Sequence, residues 1–367
     1  MSLQFDIVPL RKIPPFRVIG SKYSMLRNLL KVMKENKIEG STFFDVFSGS
    51  GVVGRFFKKM YSIFSNDNLY FFFVLQKALI TLNNYPSFKN LKLHLDLSLT
   101  PIMKIQKILQ YLNNLNGTEG FIFSHYTPAS KSIDGIERKY FTEENGKRID
   151  SIRVKIEEWL ENGFISEDEY FYLLASLLFA VQKVANISGT YGAFNKFWDQ
   201  RARKPLTLKF IEVIPSKFIH KAFYEDAFQL IKRINCDIAY VDPPYNTRQY
   251  IANYHLLETI AKYDNPKIYG KTGIREYTEK EKSVFCSKKL VSNAFTNLLK
   301  ELKTKWIILS YNSEGLLSKE KIIDTFEKVH RFTSIKVYEF PQRRFKSQAN
   351  KERIKIKEYV FIAKVII

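Results

Sequence analysis

Cysteine is nearly absent from this 367-residue chain: Cys236 and Cys286 are the only two. That is too few for a disulfide framework or a thiolate metal cluster. The five histidines fall in no metal-binding spacing such as His-Glu-x-x-His, so no metal is expected. No apolar run reaches the roughly 18–20 residues that span a bilayer. The start, Met1 to Phe16, is broken by Arg11, Lys12 and three prolines and does not read as a signal peptide. A cytoplasmic protein without a membrane partner is expected. There is no internal repeat and no low-complexity tract. Acid is scarce relative to base: 58 Lys and Arg against 37 Asp and Glu leave a net charge of +21. With 45% apolar residues the chain is globular, long enough for one large domain or two.

The basic excess suits a polyanionic partner, because lysine and arginine displace the counterions condensed on nucleic acid. An AT-rich genome, which favours Lys codons, gives a similar composition. The distribution carries more information. Residues 246–305 hold twelve basic side chains against six acidic ones, whereas residues 98–206 hold fourteen against thirteen. The excess therefore flanks the motifs described next and avoids the middle of the chain.

Asp242-Pro243-Pro244-Tyr245 follows the apolar run Ile238–Val241, which reads as a buried strand. The prolines end the strand, having no N–H for a ladder, and stiffen the turn. A carboxylate, a rigid carbonyl and an aromatic ring are thereby collected at a strand's carboxyl end, where open α/β sheets bind ligands. A planar amino group fits there, with Asp242 and the Pro243 carbonyl accepting its hydrogens and Tyr245 stacked on its ring. The plainer alternative is a proline-rich turn with Asp242 as a helix cap.

Upstream, Thr42–Phe47 reads as a strand, Ser48-Gly49-Ser50-Gly51 as a tight turn, and Val52–Met60 as a helix. Such a loop lets a ligand approach the backbone, and the helix N-terminus adds unpaired N–H groups. Gly49, Gly51 and Gly54 also match the dinucleotide spacing Gly-x-Gly-x-x-Gly. Asp45, and the Asp-Pro-Pro-Tyr turn downstream, argue for another ligand.

Together these two motifs resemble those of DNA adenine-N6 methyltransferases. Asp45–Gly51 is similar to their S-adenosylmethionine loop and Asp242–Tyr245 to their catalytic motif. Gly20-Ser21-Lys22-Tyr23 resembles the short segment that closes over the cofactor. The motif order resembles the alpha group, which includes Dam-type and restriction–modification enzymes, over roughly residues 17–67 and 207–365. The resemblance implies S-adenosylmethionine as cofactor, held by Lys22, Asp45, Phe47, Gly49, Gly51, Asp67 and Asp226. Asp67 suits ribose hydroxyls and Asp226 the cofactor adenine, although either also suits a helix cap. It further implies methyl transfer to N6 of an adenine flipped out of duplex DNA, with Asp242, Pro243, Pro244 and Tyr245 as the catalytic turn. N6 is a weak nucleophile, its lone pair delocalised into the ring, so positioning and charge stabilisation carry the reaction.

Asn246, Arg248, Gln249, Lys271 and Arg275 are candidate DNA contacts. Lys280, Arg138, Lys139, Lys147, Arg148 and Asn195 are weaker ones, since most such side chains touch phosphate or only solvent. Partners implied are double-stranded DNA and a cognate restriction endonuclease or second methyltransferase, with a monomer as the default. The alternatives are an RNA methyltransferase (adenine-N6 or guanine-N2), and a non-catalytic nucleic-acid-binding module on the same fold.

The expected fold is α/β: a Rossmann-like methyltransferase sheet with a mainly helical insertion. Residues 10–96 and 207–367 form the catalytic core and 97–206 the insertion, a candidate target-recognition region. Helices are expected at 20–37, 69–83, 102–114, 149–161, 167–187, 225–234, 283–304 and 318–329. Strands are expected at 42–47, 61–65, 209–214, 238–241, 306–310 and 357–365.

Overall fold

The computed structural model describes residues 6–91, 99–343 and 355–366. Its main sheet has seven strands: β1 (Thr42–Asp45), β2 (Ser62–Asp67), β3 (Lys221–Tyr224), β4 (Asn235–Val241), β7 (Lys303–Asn312), β8 (Phe332–Arg343) and β9 (Lys355–Val365). A separate two-stranded hairpin joins β5 (Ile268–Tyr269) to β6 (Ile274–Arg275). The order across the main sheet is β3-β2-β1-β4-β7-β9-β8. The first five strands in that order run parallel, and β9 runs antiparallel to both β7 and β8. This is the expected α/β class.

Period-two alternation divides the core between the two faces of the sheet. Phe43, Ile238, Tyr240 and Ile308 pack on one face, against the helices from the middle of the chain. Phe44, Ala239, Val241, Ile307 and Leu309 pack on the other, against the helices Val291–Glu301 and Lys319–Val329. The chain walks outward from β1 to β2 and β3, then returns to place β4 on the other side of β1. That reversal opens a crevice at the carboxyl ends of β1 and β4, where Asp45 and Asp242 sit.

Between β2 and β3 the chain makes a long helical excursion, including Pro101–Asn113, Glu143–Glu161 and Glu167–Val184. The last begins with a reciprocal capping box between Ser166 and Glu169. The expected boundary at residue 96 lies outside the described residues.

Several expected elements differ. The strand at 209–214 is irregular, because its backbone groups bond to side chains. The Tyr172 hydroxyl donates to the Ile211 carbonyl at 2.8 Å and accepts its N–H at 3.0 Å, and Arg55 donates to the Glu212 carbonyl at 2.6 Å. The first helix begins at Leu26 rather than residue 20, since Gly20 takes φ +77° and a 3₁₀ turn follows. The expected 283–304 helix shortens to Val291–Glu301. β3 and β8 were not expected: β3 is only four residues long and β8 carries Pro341. Both lie at sheet edges, where a missing N–H and an exposed face are tolerated.

Candidate active site

Two left-handed glycines shape the turn after β1, Gly49 at φ +51° and Gly51 at φ +74°. A Cβ added at Gly49 meets nothing within 4 Å, so the space over the loop is open to a ligand. The loop is fixed from below. The Asp67 carboxylate accepts the Gly49 N–H and the Leu69 N–H, each at 3.0 Å. Gln76 donates to the Gly49 carbonyl at 3.0 Å, and the Ser48 hydroxyl donates to Asp45 Oδ2 at 2.9 Å. The other Asp45 oxygen is buried and has no partner among the described residues. Burial raises the Asp45 carboxyl to about 8 and the Asp67 carboxyl to about 7.

One cavity joins this loop to the turn after β4. Its lining includes Lys22, Asp45, Phe47, Gly49, Asp67, Asp226, Asp242, Pro243, Pro244, Tyr245 and Gln249. Its atom-free space is about 1110 Å³, open solvent at its mouth included. Gly51, the remaining cofactor-loop candidate, packs behind it against Ile80 and Gln76. Asp226 also caps the helix Ala227–Leu230, accepting the Gln229 N–H at 3.1 Å.

Lys22 is held by three neighbours. Its ammonium meets Asp242 Oδ1 at 2.7 Å, Glu358 Oε1 at 3.1 Å and the Gly20 carbonyl at 3.1 Å. Those contacts tie Lys22 to the turn after β4 and to β9, at the lining of the cavity where it was expected to hold the cofactor. Burial opposes its charge, but Asp242 and Glu358 outweigh burial and hold its pKa well above the ordinary value. Burial likewise raises Asp242 to about 6, with Lys22 pulling the other way.

Sequence reasoning missed three residues here. Glu358 arrives on β9, where an isolated acid in an apolar strand was the available signal. Phe285 and Phe228 line the cavity with their rings parallel and centroids 5.8 Å apart, and Phe47 meets Phe285 edge-on at 5.2 Å. They give the cavity an apolar slot beside Asp226.

The candidate DNA contacts divide. Arg248 is exposed next to the site, and Lys271 is exposed at the turn of the β5–β6 hairpin. Asn246 is half-buried, its side chain accepting the Arg248 N–H at 2.9 Å. Two are corrected. Gln249 is bonded to the Ser283 backbone in both directions. Arg275 is 5% exposed and grips Asp264 with both guanidinium arms, at 3.0 and 2.6 Å. Among the weaker candidates, Arg138 is buried and holds Asp134 and the Gly270 carbonyl, and Arg148 holds the carbonyls of Leu206 and Asn113. Lys147 and Lys139 pair with Glu119 and Glu137, Asn195 bonds Asn186, and Lys280 is exposed. Tyr140 and Tyr191 are buried in the core. Among the described residues no cluster of three metal-ligating side chains occurs, and no helix is long and apolar enough to cross a membrane.

Comparison with known proteins gives a consistent result. Residues 19–325 match the family model of the D12 class N6 adenine-specific DNA methyltransferases. The chain is 44% identical over 349 residues to the type II methyltransferase M.FokI of Planomicrobium okeanokoites, covering 94% of this chain and 52% of that protein. It is 40% identical to the type II methyltransferase M.NlaIII of Neisseria lactamica, covering 91% of this chain and 94% of that protein. It is 38% identical to the modification methylase LlaI of Lactococcus lactis subsp. lactis, covering 84% and 48%. The chain thus spans about half the length of M.FokI and LlaI, and nearly all of M.NlaIII.

Proposed function

Because the chain belongs to the D12 class of N6 adenine-specific DNA methyltransferases, we propose that it modifies one adenine at N6 within a short site in duplex DNA, as the modification enzyme of a restriction–modification system. The observation that carries this reading is the single cavity joining the glycine loop after β1 to the Asp-Pro-Pro-Tyr turn after β4.

The methyl donor implied by the family is read as S-adenosylmethionine, which supplies an electrophilic methyl group. The residues present fit it. The left-handed Gly49 leaves the loop open, the Phe47, Phe228 and Phe285 slot suits its adenine, and Asp226 and Asp67 face the same space. Asp67 already accepts two backbone N–H groups, but each carboxylate oxygen retains a lone pair for a ribose hydroxyl.

The target base must leave the duplex to reach a cavity at the end of a sheet. Tyr245 then stacks on it, and the Pro243 carbonyl and Asp242 accept the two N6 hydrogens. Charge grows on N6 as the new bond forms, and a carboxylate fixed in a dry site stabilises that charge without reorganising. Asp242 takes the proton that N6 sheds once the transfer is complete.

Residues 10–96 and 207–367 are read as the catalytic unit, and the 97–206 excursion as a candidate target-recognition region. Arg248 and Lys271 are the DNA contacts that the exposed surface best supports. A companion endonuclease, or a second methyltransferase for the opposite strand, is the partner class that the relatives' names suggest, with this chain acting as a monomer.

The test is methylation of plasmid DNA with labelled S-adenosylmethionine by the intact chain and by Asp242→Ala, followed by sequencing that detects N6-methyladenine. Transfer at one short motif, lost in the variant, is the expected result. No transfer to DNA, with the cofactor still bound, overturns the assignment and directs the search to RNA.

A further inference from the structure

Glu358 lies beyond the stretch that matches the family model, on the strand that threads between β7 and β8. It is 1% exposed. Its Oε2 accepts the Asn312 side-chain amide at 3.2 Å, from the residue opposite it on β7, and its Oε1 faces Lys22 at 3.1 Å. A buried carboxylate is costly and persists only when paired. Here its pairing partner is also the partner of Asp242, whose Oδ1 lies 2.7 Å from the same ammonium.

One cation therefore faces two anions, Glu358 buried and Asp242 15% exposed toward the cavity. Held by Asp242 alone, Lys22 would form a closed pair with it, and a carboxylate neutralised in that way is a weak acceptor for a further N–H. Shared with Glu358, the cation orients Asp242 through one oxygen while the trio keeps a net negative charge. Among the described residues nothing is bonded to Asp242 Oδ2. We propose that Glu358 is a positioning residue that draws part of the Lys22 charge away from Asp242, so that the second oxygen of Asp242 remains a strong acceptor for the target amine. This inference rests on the methyltransferase reading for the identity of the amine, but not for the sharing of charge.

The groups facing Asp242 are Lys22 from the segment before the first helix, Asp45 at the end of β1, Tyr240 on β4, Tyr245 in its own turn, Tyr250 on the following helix, and Glu358 on β9. Of these, Lys22 and Glu358 have opposite effects on the Asp242 carboxyl. Glu358→Gln keeps the shape and the bond from Asn312 but removes the charge. Asp242 should then ionise more easily and accept more weakly.

The experiment uses the full chain labelled with carbon-13 at the aspartate carboxyls, with Asp242→Asn assigning the resonance. The Asp242 titration and the pH profile of plasmid methylation are recorded for the unaltered protein, Glu358→Gln and Glu358→Asp. In Glu358→Gln the Asp242 midpoint should fall by about one unit, kcat should drop on the order of tenfold, and the acid limb of the profile should move the same way. KM for S-adenosylmethionine should stay within about twofold, an uncoupling expected of an interaction made only in the transition state. Glu358→Asp, which keeps the charge, should restore the midpoint. An unmoved or rising midpoint in Glu358→Gln, or a loss of kcat matched by lost cofactor binding with no shift in the profile, overturns the proposal. Should the unaltered protein transfer no methyl group while the midpoint still moves, the functional reading falls and the sharing of charge stands.

Discussion

The side chain of Gln249 and the backbone of Ser283 hold each other in both directions, with Gln249 Nε2 donating to the Ser283 carbonyl at 3.1 Å and Oε1 accepting its N–H at 2.8 Å. Gln249 stands five residues after Pro244, and Ser283 two before Phe285, so the pair ties the catalytic turn to the wall of the aromatic slot. Two neutral hydrogen bonds contribute about 1 kcal/mol each. Gln249→Ala should therefore cost about 2 kcal/mol of stability in urea titrations and weaken S-adenosylmethionine binding measured by calorimetry. Unchanged affinity would show that the two walls are independent.

In the proposed role Asp242 accepts strongly and stabilises charge on N6 only when ionised, and burial raises its carboxyl from 3.8 to about 6. The rate of methyl transfer at saturating substrates should therefore fall as the pH drops below about 6. A profile flat down to pH 5 in single-turnover measurements would mean that Lys22 holds Asp242 ionised far more firmly than this.

Asp45 bears on stability. Its folded pKa, about 8, lies above the unfolded value of 3.8. The folded state resists ionising this group, so its contribution to stability is fully present below about pH 4 and is lost as pH rises toward 8. Asp67, raised to about 7, acts in the same sense. Asp45→Asn should flatten the decline between pH 5 and 8 in urea titrations, a difference on the order of a few kcal/mol. An identical slope in the variant would indicate that Asp45 is more hydrated than its burial implies.

Two of the basic side chains first considered for DNA should separate cleanly. Arg275→Ala strands Asp264 and empties a buried site. It should cost about 2 kcal/mol of stability, less than a fully buried pair because Asp264 is 43% exposed. Lys271→Ala should leave stability unchanged and lower the slope of log K against log salt for duplex DNA by about one. A stability loss in Lys271→Ala, or a salt-slope change in Arg275→Ala without one, would reverse these assignments.

The sequence made the two halves of the site legible because each is written locally, as a strand followed by residues that stop it. The glycine loop and the double proline both lie at strand ends, and the fold brings those ends together across β1 and β4. What stayed hidden is non-local. The role of Lys22 depends on Glu358, 336 positions away. Arg275 and Gln249 look like surface readers until Asp264 and Ser283 come within reach. The 209–214 segment has the composition of a strand, but Tyr172 and Arg55 claim its backbone groups before any neighbouring strand can. Propensity and pattern do not register competition of that kind.

The placement of β9 has a consequence for how the molecule is made. β7 emerges first and β8 next, yet the two do not touch: the slot between them is filled only by the last strand of the three to be synthesised. Until then both present open edges, the geometry that invites pairing between chains. The same late insertion delivers Glu358 beneath Lys22. A growing chain therefore carries both of its recognisable motifs for some time before the pocket floor exists, and acquires a finished floor and a continuous sheet in one step.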